Sequence, residues 1–465
     1  MQIKNDLKPG DLKKALERLW ELSGHKILLL RNEYDNSQGS PVFTQDGKYT
    51  TRGWTEWTQG FQFGGEIIQF DVTGDQQFLE MGREATINLM APHITHIGVH
   101  DHGFNNVSTY GALRRLFVEE KIDSCNWELS LYDLALKCTG AVQAARWTET
   151  ACEGGFVYSF NGPHSLFVDT IRSMRALAVS HQLGHALFSE HDVRISLLER
   201  MLVHIGTTAK YSVYYGENRD YYDVRGRTAH EAVFNVNDGN FRCPNSQQGF
   251  SPFSTWTRGL AWAICGFAEQ LEFLSITLDS ELEASGGREY LESMMLKAAR
   301  ATSDFYIENS SLDGIPYWDT GAPGLIHLGD YKGAKADPYN DFEPVDSSAA
   351  AIAAQGLLRL GRYLSGKGQE DEGMRYWQAG LTVTRTLLDE PYLSKDRMHQ
   401  GLLLHSVYHR PNGWDHIPAG YKIPCNESSM WGDYHMRELS LYLWRIINDE
   451  PYYTFFRGLE EKSKL

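Results

Sequence analysis

Apolar residues recur along this chain with the spacing of helices. Leu12, Ala15, Leu16, Leu19 and Trp20 mark one face near the start. Similar faces return at 57–72, 75–91, 106–121, 127–145, 166–182, 191–208, 256–274, 286–309, 347–366, 371–389 and 432–448. Positions three and four apart share one side of a helix, so each run predicts an amphipathic or buried helix, about twelve in all. Period-two alternation is rare and short, as at Lys26–Leu30. No Gly-Ser linker or long Pro-rich stretch divides the chain, and no short near-identical repeat recurs, so the pattern predicts one domain over 1–465. An all-α barrel of six inner and six outer helices is the compact solution for this count, and a solenoid is the other.

Between these runs lie long connections at 31–55, 146–165, 210–255, 310–346 and 390–431, which carry much of the Trp, Tyr, His, Asp and Gly. Long loops on a rigid scaffold are where sites concentrate. The 465 residues are 42% apolar and 12% aromatic, enough for a large core and incompatible with disorder. A formal charge of −16 argues against a nucleic-acid backbone or an anionic membrane surface as partner. No run of about 18 apolar residues predicts a membrane span. The first residues lack the apolar core of a signal peptide, and Cys125, Cys138, Cys152, Cys243, Cys265 and Cys425 contain no Cys-x-x-Cys. Together these predict a cytoplasmic protein with free thiols.

Four places carry candidate chemistry. Residues 93–102 contain His93, His96, His100, Asp101 and His102, which read either as metal ligands or as hydrogen-bonded histidines around one working carboxylate, Asp101. The spacing fits no common zinc motif. Asp169 sits in the apolar run Leu166-Phe167-Val168-Asp169-Thr170-Ile171. Burial there would raise its pKa and suit a general acid/base, whereas the plain alternative is a helix N-cap. Arg258 and Trp262 lie i, i+4 in Trp256-Thr257-Arg258-Gly259-Leu260-Ala261-Trp262, a pairing suited to a ring-shaped ligand bearing a carboxylate, or simply to a packed cation–π contact. His230 and Gln248 lie upstream in a loop rich in Asn, Gly and Tyr. Nucleophile-elbow, phosphate-loop and dinucleotide-binding patterns are absent, and Asn235, Asn237 and Asp238 do not meet the calcium-loop register.

Taken in order, these residues resemble the unsaturated glucuronyl hydrolases, glycoside hydrolase family 88. Trp57-Thr58-Gln59-Gly60-Phe61 with Gly64, His100-Asp101-His102-Gly103-Phe104, Asp169, His230, Gln248-Gly249, Trp256-x-Arg258-Gly259-x-x-Trp262, Pro316-Tyr317-Trp318-Asp319, Asp346-Ser347-Ser348-Ala349-Ala350-Ala351 and Trp431-Gly432-Asp433-Tyr434 follow the family's sequence of motifs. The resemblance covers about residues 50–448. It implies an (α/α)6 barrel without metal or organic cofactor. Its implied substrate is an anionic oligosaccharide left by a polysaccharide lyase, ending in a uronic acid with a C4=C5 double bond. The implied reaction is hydration of that vinyl ether.

By the same resemblance Asp169 would protonate C4 and then help water add at C5. Asp101 would hold ring hydroxyls and keep the pKa of Asp169 raised. Arg258, His230 and Gln248 would bind the uronate and its hydroxyls, and Trp57, Trp262 and, more weakly, Trp147 would stack on sugar. A related barrel enzyme acting on a saturated uronide, as hydrolase or lyase, is the alternative. Nucleic acid and membrane are not expected as partners, and a monomer or homodimer is. His102 departs from the usual apolar residue. The 210–230 stretch, with Tyr211, Tyr214, Tyr215, Tyr221 and Tyr222, reads as an insert that reshapes the leaving-group side. Residues 405–426 match no sulfate-binding pattern.

Overall fold

A computed structural model describes residues 1–459 apart from 54, 55, 124 and 153. Among the described residues, twelve long helices alternate between two concentric rings. The inner ring is Gln59–Thr73, 102–118, 170–182, Thr257–Ile276, Ser347–Gly366 and Met430–Ile447. The outer ring is Gln76–Leu89, Asn126–Ala145, Leu197–Tyr211, Gly287–Asn309, Glu370–Leu387 and Lys13–Glu33. Each inner helix packs on the next, and Met430–Ile447 returns to pack on Gln59–Thr73, closing the ring. This is the (α/α)6 barrel that the count of apolar faces predicts. No described helix is long and apolar enough to cross a membrane.

Composition explains which helix lies where. Thr257 through Leu274 are all buried: most positions are apolar, and the charged Arg258, Glu269 and Glu272 are paired inside the barrel. Lys13–Glu33 instead buries one stripe containing Leu16, Leu19, Trp20, Ile27 and Leu30. The Lys26–Leu30 alternation therefore belongs to a helix, contrary to its reading as strand-like, because Leu28 and Leu29 share the apolar stretch and the 3.6-residue period runs through it.

Two glycines set how closely inner helices approach near one end. A Cβ on Gly60 would lie 2.4 Å from the backbone of Asn105, and one on Gly103 would lie 2.3 Å from the carbonyl oxygen of Ser173. The barrel axis is filled by charge rather than by apolar side chains alone. Arg172 pairs with Glu438 at 2.8 Å and with Glu269, Arg175 with Glu438 at 3.3 Å, and Arg359 with Glu272 at 2.6 Å. Every partner is buried, so each charge depends on its counter-ion.

The loops contribute what the helical reading leaves out: short antiparallel strands. Phe43–Gln45 pairs with Lys48–Thr50, Trp147–Thr150 with Gly154–Val157, and Leu187–Phe188 with Arg194–Ile195. Ser165–Phe167, Glu231–Phe234 and Phe241–Asn245 form a three-stranded sheet. The apolar run before Asp169 is thus an edge strand and not the start of a helix, and helix begins only at Thr170. Leu166 and Phe167 are buried because the strand packs between the barrel and its neighbour, which erases the alternation that marks a half-exposed strand.

Candidate active site

All six inner helices begin at the same end of the barrel, and there a cavity opens to solvent. Its lining includes Trp57, His100, Asp101, Asp169, Gln248, Arg258 and Trp262 from the predicted residues. Aromatic walls come from Phe160, Phe167, Trp256, Tyr408 and Trp414.

Asp101 and Asp169 directly precede the helices that begin at His102 and Thr170. Neither side chain caps its helix. This rejects the N-cap reading of Asp169. Instead both carboxylates face one imidazole: His100 Nε2 lies 3.4 Å from Asp169 Oδ1 and 3.7 Å from Asp101 Oδ1. The two acids are each 8% exposed, enough to meet the cavity and little enough to be strongly influenced by their neighbours. The pairing of Ser165–Phe167 with Glu231–Phe234 continues one step further, through the Val168 N–H to the His230 carbonyl at 2.9 Å, and so fixes Asp169 beside His230.

Hydrogen bonds hold the two carboxylate-bearing turns together. The Ser173 hydroxyl donates to the His100 carbonyl at 2.7 Å and accepts from the Gly103 N–H at 2.8 Å. Gln143 Nε2 donates to both the His100 carbonyl and the Ser173 Oγ, each at 2.9 Å. Arg175 Nε donates to the Gly103 carbonyl at 2.8 Å.

The electrostatics reverse one expectation. Burial pushes the Asp169 carboxyl up, but the His100 ring, with His230 and Arg258, outweighs it and holds the group below its ordinary 3.8. Asp101 is the acid whose pKa is raised, chiefly by burial. Burial alone would lower His100, yet Asp101 and Asp169 raise it above its ordinary 6.5. The expected elevation of Asp169 by Asp101 therefore fails in the free protein, because the imidazole between the two acids favours the ionised form of Asp169 by more than burial disfavours it.

His230 is buried against Phe167 and Trp256, with ring centroids at 4.3 and 4.7 Å. Its Nδ1 accepts the backbone N–H groups of Gln247 at 3.0 Å and Gln248 at 3.3 Å. The ring proton is therefore on Nε2, and burial lowers the pKa to about 4, so the ring is neutral. Gln248 gives its Oε1 to Arg258 Nη2 at 2.8 Å. Trp57 is half-buried and stacks on Trp431 at 5.0 Å and 24°. Trp262 forms the cavity floor against Phe104 at 4.9 Å.

Some predicted residues lie elsewhere. Trp147 is on the Trp147–Thr150 strand, with Arg200 above its ring at 4.7 Å, and does not line the cavity. Its helical neighbours are too few for spacing to have placed it. His93 and His102 do not gather as ligands. His93 is bonded to Gln59 Oε1 at 2.7 Å, and His102 to Thr139 Oγ1 at 2.6 Å and the His96 carbonyl at 3.0 Å. His102 thus braces the loop that carries His96 to the cavity rim. The tyrosines of the 210–230 stretch are scaffold or surface: Tyr211 packs on Phe234 and Phe241, Tyr214 under Arg227, Tyr215 donates to the Ala209 carbonyl, and exposed Tyr222 stacks on Phe253. None of them lines the cavity.

Sequence reasoning read His100 either as a metal ligand or as one of the hydrogen-bonded histidines around Asp101, did not pair it with Asp169, and gave no role to Phe160, Tyr408, His409 or Trp414. The aromatic density of 408–414 was the available signal. Asp415 organises that segment by accepting the N–H groups of Tyr408 and His409.

No protein-family model matches the chain. It is 25% identical over 392 residues to an unsaturated glucuronyl hydrolase of Formosa agariphila, covering 82% of this chain and 78% of that protein. It is 24% identical over 421 residues to an unsaturated glucuronyl hydrolase of Bacillus sp. strain GL1, covering 88% and 91%. A crystal structure of unsaturated glucuronyl hydrolase from Bacillus sp. GL1, described as responsible for the degradation of glycosaminoglycan, matches with a TM-score of 0.68 at 22% identity over 94% of this chain and all of that one. The similarity signalled by the ordered motifs therefore spans nearly the whole chain.

Proposed function

We propose that this protein is an unsaturated glucuronyl hydrolase: it removes a 4,5-unsaturated uronic acid from the non-reducing end of lyase-generated oligosaccharides by hydrating the C4=C5 vinyl ether. The observation that carries this reading is the Asp101–His100–Asp169 cluster, set in an aromatic-walled cavity on an (α/α)6 barrel. The likeness of the chain to glucuronyl hydrolases supports the same reading.

In this reading Asp169 is the general acid and base. It is ionised in the free protein, so it must acquire a proton before it can give one. An arriving uronate adds negative charge beside it, which favours the protonated acid. His100 Nε2, at 3.4 Å, is the near source. Asp169 then protonates C4, and positive charge develops at C5 next to the ring oxygen. Water adds at C5 as Asp169 takes its proton back. The hemiketal so formed opens and releases the leaving sugar. The attacked carbon is not anomeric, so the carboxylate spacing that sorts inverting from retaining glycosidases does not apply. Asp101, the acid of raised pKa, is suited to hydrogen-bond ring hydroxyls. Trp57 at the wall and Trp262 on the floor offer faces to the sugar.

The test is the ultraviolet absorbance of the conjugated alkene in a panel of unsaturated disaccharides. Its loss on adding the protein supports the reading, and no change across the panel refutes it. Appearance of that absorbance from an intact polysaccharide would mark a lyase instead.

A further inference from the structure

The Arg258 guanidinium has five N–H donors and no acceptor, and four of the five are engaged within the protein. Nη1 donates to Asp346 Oδ2 at 3.0 Å and to the Val407 carbonyl. Nη2 donates to Gln248 Oε1 at 2.8 Å and to the Tyr408 carbonyl at 2.9 Å. The rings of Trp256 and Trp431 lie 4.6 and 4.9 Å from the guanidinium carbon. The residue is 1% exposed. A fork-on-fork grip on a carboxylate uses either Nη1 with Nη2 or Nε with Nη2, and both choices take an Nη2 donor that is already engaged. Either would strip partners from Gln248, from buried Asp346 or from the 407–408 backbone.

We propose that Arg258 is a positioning residue that does not bind the uronate, and that it acts through Gln248. Because a guanidinium only donates, the Gln248 atom facing it must be the amide oxygen. The Nε2–H2 group is thereby turned away from Arg258, on a side chain that lines the cavity. His230 lies behind that wall, where its Nδ1 accepts the backbone N–H groups of Gln247 and Gln248 and so fixes the backbone that carries the Gln248 side chain. The wall thus offers the anion a neutral, oriented donor in place of a cation. That donor is preset by hydrogen bonds within the protein, so little ordering is left for the binding step. Arg258 also ties the 407–408 backbone to the inner helices, so its loss would loosen a second wall that any ligand touches, charged or not.

This inference rests on the reading as an unsaturated uronide hydrolase. Its test compares affinity for an unsaturated uronyl disaccharide with affinity for its neutral methyl ester. Calorimetry on Asp169→Asn protein avoids turnover. The ratio of the two dissociation constants isolates carboxylate recognition, because a loosened wall weakens both ligands alike. Gln248→Met should cut the ratio. Adding Arg258→Lys to Gln248→Met should change it by less than about twofold, since the residue through which Arg258 acts is already gone. A further fall of about tenfold would show that Arg258 meets the carboxylate itself and would overturn the inference. If Arg258→Lys unfolds, a crystal structure of Asp169→Asn protein with the acid disaccharide decides. The four bonds should persist, and a carboxylate oxygen within about 3.2 Å of Nε, Nη1 or Nη2 overturns the inference. Wild-type protein that consumes no alkene would instead remove the functional reading, and this inference with it. Turnover accompanied by the tenfold fall would remove only the inference.

Discussion

Substituting Gly103 by alanine tests whether the distance between two inner helices sets the geometry of the acid pair. The new Cβ would lie 2.3 Å from the Ser173 carbonyl oxygen, 2.5 Å from its Cα and 2.7 Å from its carbonyl carbon. All three are backbone atoms, so no side-chain rotation relieves the clash. Reaching ordinary contact at about 3.5 Å requires the two helices to part by about 1 Å. Overpacking of this kind costs about 1–3 kcal/mol, which lowers the melting temperature by a few degrees in a chain of this size. The catalytic effect should exceed the stability effect. Asp101 lies two residues before Gly103 and Asp169 lies four before Ser173, so the separation falls between the carboxylates. A displacement of about 1 Å at reacting groups can cost about 10²-fold in rate. Initial rates of alkene loss and a thermal melt should therefore show a rate loss out of proportion to a small drop in stability. Gly206→Ala is the control. It lies on the outer Leu197–Tyr211 helix with only Met294 Cε at 4.0 Å, so it should melt unchanged or higher by about 0.5–1 kcal/mol, with full activity. Gly103→Ala protein with wild-type rate and melting temperature would refute the argument.

Other outcomes follow from the same geometry. Asp169→Asn should lower turnover by about 10²–10⁴-fold with the barrel intact by circular dichroism, and normal turnover would remove Asp169 from the acid/base role. His100→Gln removes both the strongest influence that lowers Asp169 and its near proton source, so the Asp169 pKa should rise and kcat/KM should fall as pH rises through it; a profile unchanged from wild type contradicts the assignment. The stabilities have definite signs. The depressed Asp169 contributes above its unfolded pKa and loses that contribution as pH falls through its folded value. The raised His100 contributes below its unfolded pKa and loses that contribution as pH rises through its folded value. Melts of His100→Gln should accordingly lose stability most between those limits, and an equal loss at every pH would argue against the pairing. Trp57→Ala should raise KM by about 2- to 13-fold if its ring stacks on the sugar, corresponding to about 0.5–1.5 kcal/mol, whereas Trp147→Ala should leave KM unchanged.

Much of the barrel was legible because its helices carry long apolar runs at the 3.6-residue period, a pattern that no half-exposed strand produces. The shorter strands were hidden. Ser165–Phe167 is buried on both sides and reads as the opening turn of the helix that follows it. Asp169 and Asp101 stood out because a carboxylate in or beside an apolar run needs a partner or a task. What spacing could not supply was the partner's identity. His100 lies 69 positions from Asp169 and reaches it only after two helices close on Gly103. The opposite signs of the two pKa shifts follow from that third group, so the pair considered alone gives the wrong order. Arg258 shows the complementary case. Its helical spacing with Trp262 was correct, but whether a buried guanidinium is free depends on Asp346, Val407 and Tyr408, which lie 88 to 150 residues downstream.

The shared direction of the inner helices has an electrostatic consequence. Each start points the positive end of its helix dipole at the cavity, but many of the first N–H groups already have acceptors: Asn105 takes the Gly60 N–H, Ser173 that of Gly103, Asp346 those of Ser348 and Ala349, and Ser429 that of Gly432. For an anion entering a molecule of net charge −16, the aligned dipoles offset part of the carboxylate charge at that end. That contribution belongs to the main chain and not to any lysine or arginine, so no single side-chain replacement can abolish it.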